Sequence, residues 1–297
     1  MLFRSKILEN HPVGSRVLML YPPGTLEFIT GFFGCLYAGC IAVPAYPPKR
    51  NRKGARIQGI AGDCQASVAL TTQDLVDQIL RDDNMRAEMQ SLQLIGTDKV
   101  DRSIAIQFNE IPIYDTNLAV LQYTSGSTGE PKGVMLTHAN LIRNCEIIST
   151  LFGEHYTSIG CSWLPTYHDM GLIGGILAPL FFGATLALMS PMTFLQRPVR
   201  WLRTISKYRA TTSGGPNFAF QLCVDKVTDE EMEGLDLSSW RVAFNGAEPV
   251  RASTLEQFSQ RFARIGFRHD VHLPCYGMAE TTLIVRSEEH TSELQSH

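Results

Sequence analysis

Between Tyr123 and Gly133 the chain reads Tyr-Thr-Ser-Gly-Ser-Thr-Gly-Glu-Pro-Lys-Gly. Thr124, Ser125, Ser127 and Thr128 offer hydroxyls, Gly126 and Gly129 let the backbone turn, and Lys132 supplies positive charge. Such a segment can wrap a polyphosphate. Glycine permits close backbone approach, amide N–H groups converge on anionic oxygens, and the lysine neutralises charge. The spacing rules out two common phosphate signatures. Gly133 follows the lysine, so G-x-x-x-x-G-K-S/T is not met, and no G-x-G-x-x-G dinucleotide loop opens a helix here. A plain Ser/Gly turn is the competing reading. The apolar run Leu118–Leu121 directly before it argues instead for a loop held by a strand.

Three further segments carry chemistry. Tyr167-His168-Asp169 interrupts the apolar stretch from Trp163 to Gly174, a costly arrangement unless the polar groups are paired or line a cleft. His168 can orient or shield a reacting carboxylate. Asp169 can instead satisfy N–H groups at the start of a helix over 170–177. Next, Asn245-Gly246-Ala247-Glu248-Pro249 follows a strand pattern, and ligands of open α/β sheets bind beyond the carboxyl ends of strands. Gly246 and Ala247 leave room for a flat ring, Asn245 can read its edge, and Glu248 is either a contact or a surface carboxylate. Last comes Tyr276-Gly277-Met278-Ala279-Glu280. Tyr276 offers a stacking face, Gly277 close backbone passage, and Glu280 a hard oxygen ligand suited to Mg²⁺ bridging phosphates.

Apolar residues near these segments form a candidate acyl pocket: Ile173, Phe181, Gly214, Gly215, Pro216 and Phe218. The glycine pair can leave space for an alkyl chain, although core packing accounts for the same residues.

The positioning elements follow from hydrophobic periodicity. Short unmixed apolar runs at 16–21, 41–43, 66–71, 118–123, 185–189, 210–213, 240–245 and 271–273 read as buried strands. Helices are expected at 27–39, 137–152, 198–208, 217–227 and 251–264, the last with Leu255, Phe258 and Phe262 on one face. Strands alternating with helices predict an α/β fold of mostly parallel sheets covered by helices. Residues 74–103 are more polar and read as peripheral helices and loops.

Composition narrows the classes. The 297 residues, 44% of them hydrophobic, can bury a large core. A net charge of −3 with no basic block gives no support for nucleic-acid binding. The apolar stretches 32–45 and 172–189 are broken by Gly, Pro or Tyr and fall short of the roughly 18 uninterrupted residues of a membrane span. Seven scattered cysteines with no CxxC pair fit the reduced thiols of a cytoplasmic protein.

Taken together, the segments at 124–133, 245–249 and 276–280 resemble the adenylate-forming superfamily of acyl-CoA synthetases, luciferases and peptide-synthetase adenylation domains. Fragments at 21–24, 34–39, 43–48, 163–174, 194–202 and 215–219 most resemble its fatty acyl-AMP ligases, and the likeness runs from about Arg16 to Arg286. Ala279, where many superfamily members have Thr, favours that subgroup. The resemblance implies the large AMP-binding domain and activation of a long-chain fatty acid. The acyl carboxylate attacks the α-phosphate of ATP, and the acyl group then passes to the phosphopantetheine thiol of an acyl carrier protein. It also implies that Tyr276 stacks on adenine and that Asn245–Ala247 line its pocket. Thr128 and Lys132 would meet phosphates, Glu280 would hold Mg²⁺, and His168 would sit near the acyl carboxylate.

Family members run to about twice this length, with a ribose-binding Asp, a hinge and a small C-terminal domain carrying a catalytic Lys. The expectation is a partial large domain over 16–286, with a truncated start at 1–15. Residues 287–297 change abruptly in character and resemble translated vector sequence. A chain of this extent is expected to bind nucleotide weakly and to adenylate poorly. An acyl-CoA synthetase fragment and a non-catalytic nucleotide-binding domain of a multienzyme stay open as alternatives.

Overall fold

The computed structural model describes residues 6–7, 9–48, 55–100, 103, 110–124 and 131–287. The proposed tail beyond Ser287 lies outside them. The chain divides into two compact units, Met1–Leu141 and Ile142–His297.

In the first unit, β1 (Arg16–Met19) lies between β2 (Ile41–Pro44) and β3 (Val68–Thr71), parallel to both. Its Val17, Leu18 and Met19 are fully buried, as a central strand covered on both faces requires. The crossovers are α1 (Leu26–Tyr37) and α2 (Ala55–Asp63). Gly39 follows α1 with φ +63°, a left-handed position that glycine adopts freely, and so ends the helix where the sequence expects. After α3 (Gln73–Arg81) and α4 (Asp83–Glu88), the polar 74–103 region also supplies β4 (Gln93–Gly96), parallel to β3. Only Ile95 of that edge strand is buried, so it carries no apolar run to announce it. Finally β5 (Leu118–Thr124) pairs with β2, and β6 (Lys132–Thr137) folds back antiparallel on β5. The sheet order is β4-β3-β1-β2-β5-β6. The sequence reading held the glycine-rich segment as loop through Gly133, whereas Lys132 and Gly133 are already strand.

The helix α5 (His138–Phe152) leads into the second unit, where β7 (Ile159–Ser162) is followed by a π-helix, Met170–Leu177. That helix runs into α6 (Ala178–Phe181), and β8 (Thr185–Leu188), α7 (Pro191–Gln196) and α8 (Val199–Tyr208) come next. Then follow β9 (Thr212–Gly215), α9 (Asn217–Lys226), β10 (Val242–Asn245), α10 (Ala252–Phe262), β11 (His272–Gly277) and β12 (Ile284–Ser287). The sheet order is β12-β11-β10-β9-β7-β8, all pairs parallel except β11 with β12. Leu255, Phe258 and Phe262 of α10 are fully buried, as their spacing requires. Phe258 and Phe262 join Trp201, Phe220, Trp240 and Phe267 in an aromatic core with ring centroids 4.5–6.4 Å apart. Trp201 Nε1 donates to Ser213 Oγ at 2.7 Å, and Ser213 Oγ donates to the Cys161 carbonyl at 2.6 Å. This relay ties α8 to the sheet strands β9 and β7.

Candidate active site

Thr124 closes β5 directly opposite Lys132, the first residue of β6. The segment between them is the phosphate-loop candidate, and Ser125, Gly126, Ser127, Thr128 and Gly129 lie outside the described residues. The two strand ends that hold it are braced by α2. Arg56, Gly59 and Asp63 fall three and four residues apart, on one face of that helix. The Tyr123 hydroxyl donates to the Asp63 carboxylate, and burial pushes its own pKa well up. Pro131 packs on Gly59, where an added Cβ would stand 3.3 Å from the proline ring. Arg56 Nη2 donates to the Thr124 carbonyl at 3.5 Å. Lys132 is exposed. The loop mouth therefore carries Arg56 as a second cation, which the sequence reading missed because only the fold brings α2 to this hairpin.

In the second unit the carboxyl ends of β7, β9, β10 and β11 line one sheet edge, with neighbouring strands roughly 4.8 Å apart. Asn245 is in register with Gly215 on one side and Pro274 on the other. It is fully buried, yet neither its amide nitrogen nor its amide oxygen has a hydrogen-bond partner among the described residues. Trp163, just past the end of β7, is also buried with its Nε1 unpartnered. Buried polar groups are nearly always satisfied, so these two strand-end residues have donors and acceptors free for a partner; Arg261 Nε and His272 Nδ1, away from this edge, are likewise unpartnered among the described residues. Gly246 is needed for close passage: a Cβ there would lie 2.7 Å from the Cys275 carbonyl oxygen. Ala247 follows with φ +69°, a strained conformation for a residue with a side chain. Glu248 is exposed, and its Oε1 accepts the Phe218 N–H at 2.6 Å, so it caps the start of α9.

Tyr276, near the end of β11, has 62% of its surface exposed, a ring face open to solvent at the same edge. Gly277 lies so close to the Leu283 carbonyl oxygen that no Cβ fits between them. A β-bulge at Tyr276/Gly277 breaks the pairing there. Met278 is exposed and Ala279 buried, while Glu280 is exposed in the short turn Ala279–Thr281. The buried Asn144 of α5 fixes this turn. Its Nδ2 donates to the carbonyls of Thr281 and Ile284, and its Oδ1 accepts the Ile284 N–H. Nothing in the local sequence signals that long-range clamp. Cys275 beside it is packed, with its thiol pushed up to about 12 by burial. All seven cysteines are free thiols.

His168 and Asp169 sit at the head of the π-helix. Asp169 Oδ1 accepts the Met170 N–H at 2.6 Å, the capping role open to it from sequence, and also lies 2.6 Å from His168 Nδ1. The hydrogen bond to Asp169 raises the His168 pKa against the opposing effect of burial. Nδ1–H is thereby committed to the carboxylate, leaving Nε2 of a half-exposed ring to meet a ligand.

The acyl-pocket candidates are less convergent. The space that Gly214 leaves is filled by the Phe244 ring and carbonyl, and a Cβ at Gly215 would stand 2.5 Å from the Trp163 ring. Both glycines belong to β9, so they admit neighbouring protein and leave no open channel of their own; the sequence reading of free room is corrected here. Phe218 packs edge-on to Trp163 at 6.2 Å beside Pro216. Ile173 is fully buried in the π-helix, whereas Phe181 is 48% exposed.

No group of three or more His, Cys, Asp or Glu among the described residues could hold a metal ion alone. A single exposed carboxylate such as Glu280 still fits Mg²⁺, which is commonly held by one or two protein carboxylates together with substrate phosphates. No helix among the described residues is long and apolar enough to cross a membrane.

A family profile described as AMP-binding enzyme matches residues 7–296. The chain is 47% identical over 279 residues to a medium-chain fatty acid–acyl-carrier-protein ligase of Moorena producens, covering 93% of this chain and 47% of that protein. A second ligase of the same description, from Teredinibacter turnerae, is 38% identical over 99% of this chain and 51% of its own length. Among solved structures, a fatty acyl-adenylate ligase from Legionella pneumophila, in complex with acyl adenylate and pyrophosphate, superposes with a TM-score of 0.90 at 43% identity. That match covers 96% of this chain and 50% of the solved one. The chain thus spans about half the length of the relatives it matches.

Proposed function

The chain belongs to the AMP-binding enzyme family, and from that premise we propose that it is the nucleotide- and acyl-binding part of an ATP-dependent fatty acyl-AMP ligase serving an acyl carrier protein. In that reaction the fatty acid carboxylate attacks the α-phosphorus of ATP, the bond to pyrophosphate breaks, and acyl-AMP forms. The phosphopantetheine thiol of the carrier protein then takes the acyl group and AMP leaves. The substrate supplies the nucleophile, so no serine or cysteine of the chain need do so.

Each residue contributes by holding charge or shape. Adenine stacks on the open face of Tyr276, with its edge read by Asn245 and the backbone of Gly246, Ala247, Gly277, Met278 and Ala279. Thr124, Lys132 and the loop Ser125–Gly129 meet the phosphates, and Arg56 adds charge at the loop mouth. Positive charge and donors supplied as negative charge builds on the departing pyrophosphate stabilise the transition state more than the ground state. His168, oriented by Asp169, presents Nε2 to the acyl carboxylate. Glu280 would hold Mg²⁺, which when bound neutralises phosphate charge. A reduced, cytoplasmic setting suits the seven free thiols.

The observation that carries this reading is Asn245, wholly buried with both amide atoms unpartnered beside the exposed Tyr276 ring. Calorimetric titration with AMP tests it. Loss of the stacking ring in Tyr276→Ala is expected to weaken AMP by about tenfold or more, since base stacking on an aromatic is worth roughly 1–3 kcal/mol. Equal affinity in variant and wild type would overturn the assignment. Measuring whether carrier protein or coenzyme A becomes acylated by the full-length protein separates the ligase from an acyl-CoA synthetase.

A further inference from the structure

We infer that a cavity beneath the π-helix receives the far end of the acyl tail, and that Glu154 with Thr212 forms its polar end wall and so sets the accepted chain length. This rests on the fatty-acid reading above and adds a specificity-determining residue to it.

The cavity measures about 30 Å³ and is walled mainly by Phe152, Gly160, Gly175, Ala178 and Phe244, with Ser162 as a polar member at the strand-edge end and Glu154 and Thr212 at the other. Its size decides what can enter. At roughly 10–15 Å³ for each water-sized group it holds about two such groups, too little for a nucleotide or a whole fatty acid but enough for the last carbons of an alkyl chain. Its direction is equally informative. Ser162 ends β7 and is followed by Trp163, and Phe244 precedes Asn245, so one end of the cavity abuts the strand edge that carries the unpartnered groups. Gly160 lies near the start of β7 and Thr212 opens β9. The cavity therefore runs back along the strands, away from that edge, and Glu154 closes it. Glycine at 160 and 175 and alanine at 178 keep its walls free of long side chains.

Glu154 is held in place. The Thr212 hydroxyl donates to its carboxylate, its own N–H donates to the Ser149 carbonyl at 2.9 Å, and its carbonyl accepts the Ser149 hydroxyl. Burial raises its pKa, against opposing contributions from Ser158, Arg241 and His155. An alkyl tail long enough to press on this carboxyl must strip its remaining hydration with nothing to replace it, which is costly. A tail that stops short gains apolar burial without that penalty.

The test is calorimetric titration of the chain with AMP and with non-hydrolysable acyl-adenylate analogues of increasing alkyl length. Wild type is expected to gain about fourfold in affinity per added carbon up to a maximum, then to lose affinity. Glu154→Ala, which removes the carboxyl end wall and the space it fills, is expected to move that maximum longer, and Ala184→Leu, which fills the cavity from another wall, to move it shorter. AMP affinity stays constant in both. Should Glu154→Ala not fold, as melting would reveal, Ala184→Leu carries the test, with its maximum expected at a shorter chain. An unchanged length profile with AMP still bound would overturn the inference and leave the ligase reading standing. Failure of wild type to bind AMP or any analogue would remove the ligase reading and the inference with it.

Discussion

Ser213 and Asn245 lie on adjacent strands of the second sheet, and both side chains are fully out of solvent. Ser213 spends its hydroxyl completely, accepting from the Trp201 indole and donating to the Cys161 carbonyl. Asn245 spends nothing: its amide nitrogen and oxygen both lack partners among the described residues. Equal burial with opposite satisfaction separates scaffold from site. A polar group inside a finished core is stabilised by the neighbours it already has, whereas a strand-end group that folding leaves unsatisfied carries a desolvation cost that a ligand can offset. The contrast is one of place as well. Trp163 Nε1, a further orphaned donor, is also just past a carboxyl end, whereas His272 Nδ1, orphaned too, lies at the opposite end of β11.

The largest expected effect sharpens the scaffold side. His272, at the start of β11, is buried beside Phe220, Phe258 and Phe267, and burial drops its pKa to about 4, with His269 adding to the effect. The unfolded chain, with an ordinary value near 6.5, binds the extra proton between those limits. Stability is then complete above about pH 6.5 and lost as pH falls toward 4, by on the order of 3 kcal/mol. Denaturant midpoints measured across that range check it, and His272→Phe should flatten the dependence. Next, Ser213→Ala is expected to cost about 1–3 kcal/mol, because it strands the Trp201 N–H, with AMP affinity of the folded fraction unchanged. A fall in affinity there would blur the distinction between the two regions. The smallest effect belongs to Glu248→Ala, which removes one acceptor at the start of α9 and should cost about 1 kcal/mol in a melting experiment. A larger loss of AMP binding than of stability would return Glu248 to the ligand-contacting group.

How far the sequence could be read follows the same division. Central strands β1, β2, β3 and β10 and the amphipathic α10 are legible, because residues buried on one or both faces leave a periodic apolar record. The edge strands β4 and β6 are not, since each has a single buried side chain, Ile95 and Leu136, and β6 begins inside a glycine-rich segment. β9 lies two residues later than its apolar run suggests, because Gly214 and Gly215 are strand residues made small by Phe244 and Trp163 and not by a turn. At the candidate site, residue types and strand-end placement marked Asn245, Tyr276 and His168. Arg56, Asn144 and Glu154 escaped notice because each acts on segments distant in sequence, and only tertiary contact gives a lone arginine, asparagine or glutamate its meaning.

Thermal unfolding of Asn245→Leu, with and without AMP, tests the central contrast most directly. Leucine has a similar shape and nothing to leave unsatisfied, so the ligand-free melting temperature should hold or rise. The stabilisation by AMP, about 2.7 kcal/mol at a hundredfold excess over Kd for wild type, should largely disappear. A variant that melts several degrees lower yet keeps its full response to AMP would show that Asn245 belongs to the scaffold, and would contradict the account.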